Sequence, residues 1–141
     1  MVVKKGRLYA VMLLLIMIGI VDTAYLTYSH YNGTPVACPD AGIVNCGKVL
    51  SSPYSTIFGI PLGFIGMVFF AIELFMLDRT DYENIMFFNI IGIATVVYLL
   101  YVEYVLGAIC LYCTLVHILV VSLFVLSVYG YLREKKVSTK K

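Results

Sequence analysis

Charge is what this sequence lacks most. Only 13% of its 141 residues are Asp, Glu, Lys or Arg, against about a quarter in soluble domains. A chain so poor in charge and 62% hydrophobic is excluded from the soluble catalytic domains. A net charge of +2 is too small to argue for nucleic acid or any other anionic partner. No stretch has the pattern of a flavin, haem or nicotinamide site, and no internal repeat or low-complexity segment is present. The first apolar run is not followed by the small-residue cleavage site of a secretory signal, so it reads as a retained helix. A membrane-spanning helix takes about 20 apolar residues, which leaves room for about four spans and little else.

What is present is a set of apolar blocks with short polar breaks. The blocks run over about 8–28, 59–77, 85–106 and 109–132, with an outer loop over about 29–58. Pro61 falls in the first turn of the second block, where proline is tolerated. The expected fold is an all-α integral membrane protein: one domain over 1–141, built as a four-transmembrane-helix bundle with a capping extracytoplasmic loop between helices 1 and 2. Lys4, Lys5, Arg7, Arg79, Arg133, Lys135, Lys136, Lys140 and Lys141 then share one side, and only Lys48 lies opposite. Basic residues stay cytoplasmic, so both termini are expected in the cytoplasm of a multi-pass plasma-membrane protein. Tyr25, Tyr28 and Tyr31, with Tyr98, Tyr101 and Tyr104, mark the outer interface.

All four cysteines fall at that outer face. Cys38 and Cys46 lie in the loop, and Cys110-Leu111-Tyr112-Cys113 opens the last block. This compartment permits disulfides, whereas the cytosol keeps thiols reduced. Cysteines three apart at a helix start share one face and close a small reversible ring. The free N–H groups of the first turn stabilise a thiolate there, which is the attacking species in thiol–disulfide exchange. The same thiols would also serve as two structural staples or as a four-thiolate zinc site. A helix-opening C-x-x-C makes a labile bridge rather than a staple, and it emerges here from an apolar helix, so an electron relay is the reading the spacing supports; no metal is expected.

Thr114 and His117 follow Cys110 and Cys113 by four residues each, so all four share a helix face. An ionisable group in a span is a functional candidate by default, although a buried histidine bonded to a neighbouring helix fits the same position. Thiols at membrane level suit an acceptor dissolved in the bilayer, a quinone. Glu103 falls near the outer end of the third block, within reach of the thiols. Asp22 and Glu73 are expected to pair with polar groups between helices.

The order Tyr25-Leu-Thr, His30-Tyr31, Cys38-x7-Cys46-Gly-Lys-Val-Leu-Ser-Ser-Pro-Tyr-Ser, Phe58-Gly-Ile-Pro-Leu-Gly and Cys110-x-x-Cys113 resembles the vitamin K epoxide reductase family. It is most similar to the prokaryotic members that form disulfide bonds, and the resemblance covers about 19–132. It implies a bundle around a quinone pocket, with ubiquinone, menaquinone or a similar quinone as acceptor. Cys38 would exchange with a reduced thioredoxin-like (DsbA-like) partner, Cys46 would carry electrons to Cys110, and Cys113 would face the quinone. Ser52 matches a loop hydroxyl important for the relay, and Ser55, Phe58, Thr114 and His117 join Cys113 and Ser52 as pocket candidates. Ser55 stands where vertebrate members carry a pocket asparagine, and His117 where they carry a pocket tyrosine. These departures argue for plain quinone reduction over reduction of vitamin K epoxide. Because the sequence stops soon after the fourth block, the thiol partner is expected to be a separate protein. A non-enzymatic tetraspan protein stapled by disulfides is the alternative from another class.

Overall fold

The structure, a computed structural model, describes residues 6–39 and 41–139. Lys4, Lys5, Lys140 and Lys141, four of the residues behind the expected orientation, lie outside the described residues. The fold is mostly helical. Helix α1 (Arg7–Asn32) is followed by a loop that holds the short α2 (Cys46–Leu50), a single 3-10 turn and a two-stranded hairpin, β1 (Thr56–Ile57) and β2 (Ile60–Pro61). Three long helices complete the chain: α3 (Leu62–Asp78), α4 (Tyr82–Leu106) and α5 (Leu111–Ser138).

Among the described residues, α1, α4 and α5 are long and apolar enough to cross a membrane. Helix α3 has 17 residues, about 25 Å at 1.5 Å per residue. Its start differs from the sequence expectation for a local reason. Phe58 and Gly59 both take positive φ, 51° and 80°, the signature of a tight hairpin turn. That turn draws Ile60 and Pro61 into a strand pair, with Ile57 opposite Ile60 and Thr56 opposite Pro61. Pro61 therefore caps α3 from outside instead of sitting in its first turn.

The other helix ends follow from backbone chemistry. Gly33 and Gly107 adopt the left-handed conformation (φ 63° and 60°) that closes α1 and α4. The next N–H in each case reaches back to a helical carbonyl, Thr34 to Ser29 and Ala108 to Glu103, so orphan carbonyls are satisfied where the chain reverses. The Asp81 side chain accepts the Asn84 N–H and starts α4.

Packing is inside out relative to a soluble protein. Leu14, Val21, Phe75, Ile91, Val97, Ile118 and Val125 are exposed on the outward faces of all four long helices. Asp22, Thr23, Glu73, Asn89, Glu103, His117 and Ser127 are buried between them. Against lipid, burying another apolar side chain gains little, and close approach of helices supplies the cohesion. Gly19 of α1 shows this. A Cβ there would stand 2.6 Å from the Phe70 ring of α3, so the absent side chain is what lets α1 and α3 touch. The apolar core of Met12, Ile16, Phe70, Leu77, Ile85 and Leu123 fills the half of the bundle nearer the termini.

Of the two carboxyl groups expected to pair between helices, one does. Asn89 Nδ2 of α4 donates to Glu73 Oε1 of α3 at 2.6 Å. Asp22 Oδ2 is buried without a hydrogen-bond partner among the described residues.

Candidate functional site: two cysteine pairs over an apolar cavity

The site lies at the end of the bundle away from the termini, where α1 and α4 finish and α3 and α5 begin. Cys38 and Cys46 are joined by a disulfide, with their Cα atoms 6.1 Å apart. Cys110 and Cys113 are free thiols.

Backbone pairing brings the two pairs together. The loop turns at Gly42, Ala41 and Val44 bridge antiparallel, and Val44 then bridges parallel to Ile109. Ile109 N–H donates to Ile43 O at 2.8 Å, and Asn45 N–H donates to Ile109 O at 3.0 Å. Cys46 and Cys110 each follow directly on this ladder. The Asn45 side chain caps α2 by accepting the Lys48 N–H at 2.7 Å, and Lys48 Nζ donates to Leu106 O at 2.6 Å. Cys46, Val49, Ala108 and Cys110 form one buried cluster, against which Cys38, Tyr112 and Cys113 pack.

Cys110 is fully buried and sits just ahead of α5 as its N-cap. Its Sγ accepts the Cys113 N–H at 3.4 Å, and its own N–H donates to Glu103 Oε1 at 3.2 Å. The Cys113 thiol also donates to the Cys110 sulfur, which holds the Cys110 thiol below the usual cysteine range. The N–H groups of Cys113 and Tyr112 at the helix start act in the same direction, as the C-x-x-C spacing leads one to expect.

Beneath the thiols is a cavity of about 600 Å³, within the range of pockets that enclose small organic ligands. Cys113, His117, Glu103, Ser52, Ser55 and Phe69 are among its lining residues. His117 is buried, and among the described residues neither of its ring nitrogens has a hydrogen-bond partner, an arrangement that costs free energy unless a ligand or water meets it. Ser52 and Ser55 spend their hydroxyl protons on the carbonyls of Val49 and Ser52, so toward the cavity they offer acceptor lone pairs only.

Two pocket candidates stand elsewhere. Phe58 is at the hairpin tip and fully exposed, because the left-handed turn directs it away from the bundle. Thr114 turns its hydroxyl onto Cys110 O at 2.8 Å and is not part of the cavity wall. Glu103, expected within reach of the thiols, is both a cavity residue and the acceptor for the Cys110 N–H. The structure also adds groups beyond those expected at the site. Tyr25, Tyr112 and Lys48 tie the loop to the helices, and no spacing rule points to them.

The vitamin K epoxide reductase family matches residues 10–128. The thiol-disulfide oxidoreductase LTO1 of Arabidopsis thaliana is 37% identical over 122 residues, covering 76% of this chain and 32% of that protein. The chain thus aligns with about a third of this relative's length. With a family match that spans most of the chain and two cysteine pairs brought together over a cavity, this protein belongs to the vitamin K epoxide reductase family.

Proposed function

We propose that this protein is a thiol–quinone oxidoreductase of the plasma membrane that reoxidises a thioredoxin-like (DsbA-like) partner and so sustains disulfide formation outside the cytoplasm. One observation carries the reading: the loop disulfide packs against the Cys110/Cys113 pair, and Cys113 lines an apolar cavity. In this reading α3 is the fourth span, the hairpin ahead of it lying at the interface, and the whole chain is a single domain. Arg7, Arg79, Arg133, Lys135 and Lys136 would face the cytoplasm, and the four cysteines the other side.

The cavity fits a quinone ring. Its walls are mainly apolar, and His117 offers an unpaired ring nitrogen about one helical turn beyond Cys113. A quinone bound there supplies an acceptor for two electrons and two protons. The protein's part is a series of exchanges. A partner thiolate attacks Cys38, breaking the Cys38–Cys46 bond and freeing Cys46, and the partner's second thiol then releases Cys38. Cys46 attacks Cys110 in an oxidised Cys110–Cys113 pair and frees Cys113. Cys38 closes back onto Cys46, leaving Cys110 and Cys113 as a dithiol. That dithiol gives up two electrons and two protons at the cavity and closes again. His117, or a water beside it, conveys a proton at the cavity wall.

Anaerobic incubation of the purified protein with a reduced thioredoxin-like protein and several quinones, read by quinone absorbance, tests the proposal. Bleaching that depends on both reactants is expected. No bleaching with any quinone would overturn it. The family's name favours a second reading, reduction of vitamin K epoxide, and adding that compound to the quinone panel separates the two.

A further inference from the structure

Ala37 is the residue directly before Cys38, and both of its backbone polar groups are held by tyrosines. Its N–H donates to Tyr25 Oη at 3.1 Å. Its carbonyl accepts from Tyr112 Oη at 2.8 Å. Tyr25 comes from α1, and Tyr112 lies between the two cysteines of the C-x-x-C. The rings pack on one another with centroids 5.4 Å apart. Residues 34–39 have no regular structure, and Pro35, Ala37 and Pro39 are exposed. The other arm of the loop is fixed independently through Ile43, Asn45 and Lys48.

Each half of the loop disulfide therefore has its own anchor: the Ile109 ladder for Cys46 and the tyrosine pair for Cys38. While the disulfide is closed the second anchor is redundant. It matters once the bond is open, because the arm that carries Cys38 then keeps few other attachments. We propose that Tyr25 and Tyr112 form a clamp that keeps Cys38 beside Cys46 during the open stage of the cycle. This deepens the relay reading above and rests on it. With the clamp, the Cys38 thiolate attacks Cys46 in the Cys46–Cys110 mixed disulfide. The Cys46–Cys110 bond breaks, Cys38–Cys46 forms, and Cys110 leaves as a thiolate, with no outside oxidant. Without the clamp, Cys38 swings on a flexible arm and its effective concentration at Cys46 falls. Tyr25 and Tyr112 are positioning residues, since their hydroxyls act on the Ala37 backbone and not on a sulfur.

The test uses the full chain with Tyr25→Phe, Tyr112→Phe and the double variant, which keep the rings and remove only the hydroxyls. Losing one or both hydrogen bonds, about 1 kcal/mol each, corresponds to about a 5- to 30-fold change. The double variant is expected to lose about that factor in partner-driven quinone reduction, to lose far less when a small dithiol is the donor, and to accumulate the Cys46–Cys110 disulfide on acid quenching. After chemical reduction, its Cys38 should also be alkylated faster than in the native protein. Native rates of both partner-driven turnover and Cys38 alkylation, or an equal loss with both donors, would overturn the clamp. If the native protein itself reduces no quinone, the relay reading fails, and the alkylation rates still decide the clamp.

Discussion

The backbone N–H of Cys110 is held by the carboxyl of Glu103, 3.2 Å away across the Gly107 turn. A residue of α4 thereby sets the position of the residue that caps α5, and the redox pair is referenced to two helices rather than one. Glu103→Ala would leave that buried N–H unsatisfied, at a cost of about 1–3 kcal/mol. A lower unfolding temperature in detergent and slower quinone reduction are expected. Glu103→Gln keeps an acceptor oxygen and should preserve most of the stability, and thermal melts of the two variants separate the cases.

The cysteine roles make opposite forecasts for the two ends of the relay. Cys113→Ala should abolish quinone reduction with every donor. Cys38→Ala should block oxidation of the thioredoxin-like partner and still permit quinone reduction by a small dithiol. Steady-state assays with both donors read this directly, and normal quinone reduction by Cys113→Ala would reassign the roles.

Glu73 and Asn89 form a polar contact inside the half of the bundle that carries no redox chemistry. Asn89→Leu strands the Glu73 carboxyl and should cost about 1–3 kcal/mol. The double change Glu73→Leu with Asn89→Leu should recover much of that loss, since an interhelical hydrogen bond in a membrane contributes only about 0.6 kcal/mol on average. A double-mutant cycle of thermal unfolding measures the coupling, and the turnover of variants that stay folded should not change.

Gly19→Ala would press a methyl group into the Phe70 ring. Overpacking of this kind costs about 1–3 kcal/mol and should separate α1 from α3. Pairing it with Phe70→Leu makes room and should restore the melting temperature.

Orientation has its own measurement. After mild reduction, a membrane-impermeant maleimide added to intact cells should label Cys38. Labelling only after the cells are opened would place the loop in the cytoplasm, and the reading of the basic residues would have to be reversed.

Much of this was legible in the sequence because membrane chemistry writes in long words. The apolar blocks marked the long helices, and the cysteine spacing marked the helix start at Cys110. Where the reading slipped, short-range backbone geometry decided. Periodicity cannot see that Phe58 and Gly59 take positive φ, so sequence alone starts the second block at residue 59 and puts Phe58 in a pocket it does not line. Thr114 shares a helix face with Cys110, but a hydroxyl on the first turn of a helix has a nearer acceptor in the carbonyl four residues back, and it takes it. The tyrosine contacts with Ala37 join residues as far as 75 positions apart, and no local pattern encodes them. His117, by contrast, stands out in the sequence as an ionisable group within a span, and it lies in the cavity wall.

The Val44–Ile109 bridge also bears on how the protein is made. The loop that carries Cys38 and Cys46 is translated before α3 and α4, and its partners on the far side come much later: Leu106 follows Lys48 by 58 residues. During synthesis the loop has neither its ladder nor its tyrosine at position 112. The contacts of the cap to residues 106, 109 and 112 can therefore form only once that later part of the chain has been made. A nascent chain stopped before residue 109 holds its first cysteine pair without the second, so the two pairs meet only when the final helix is present.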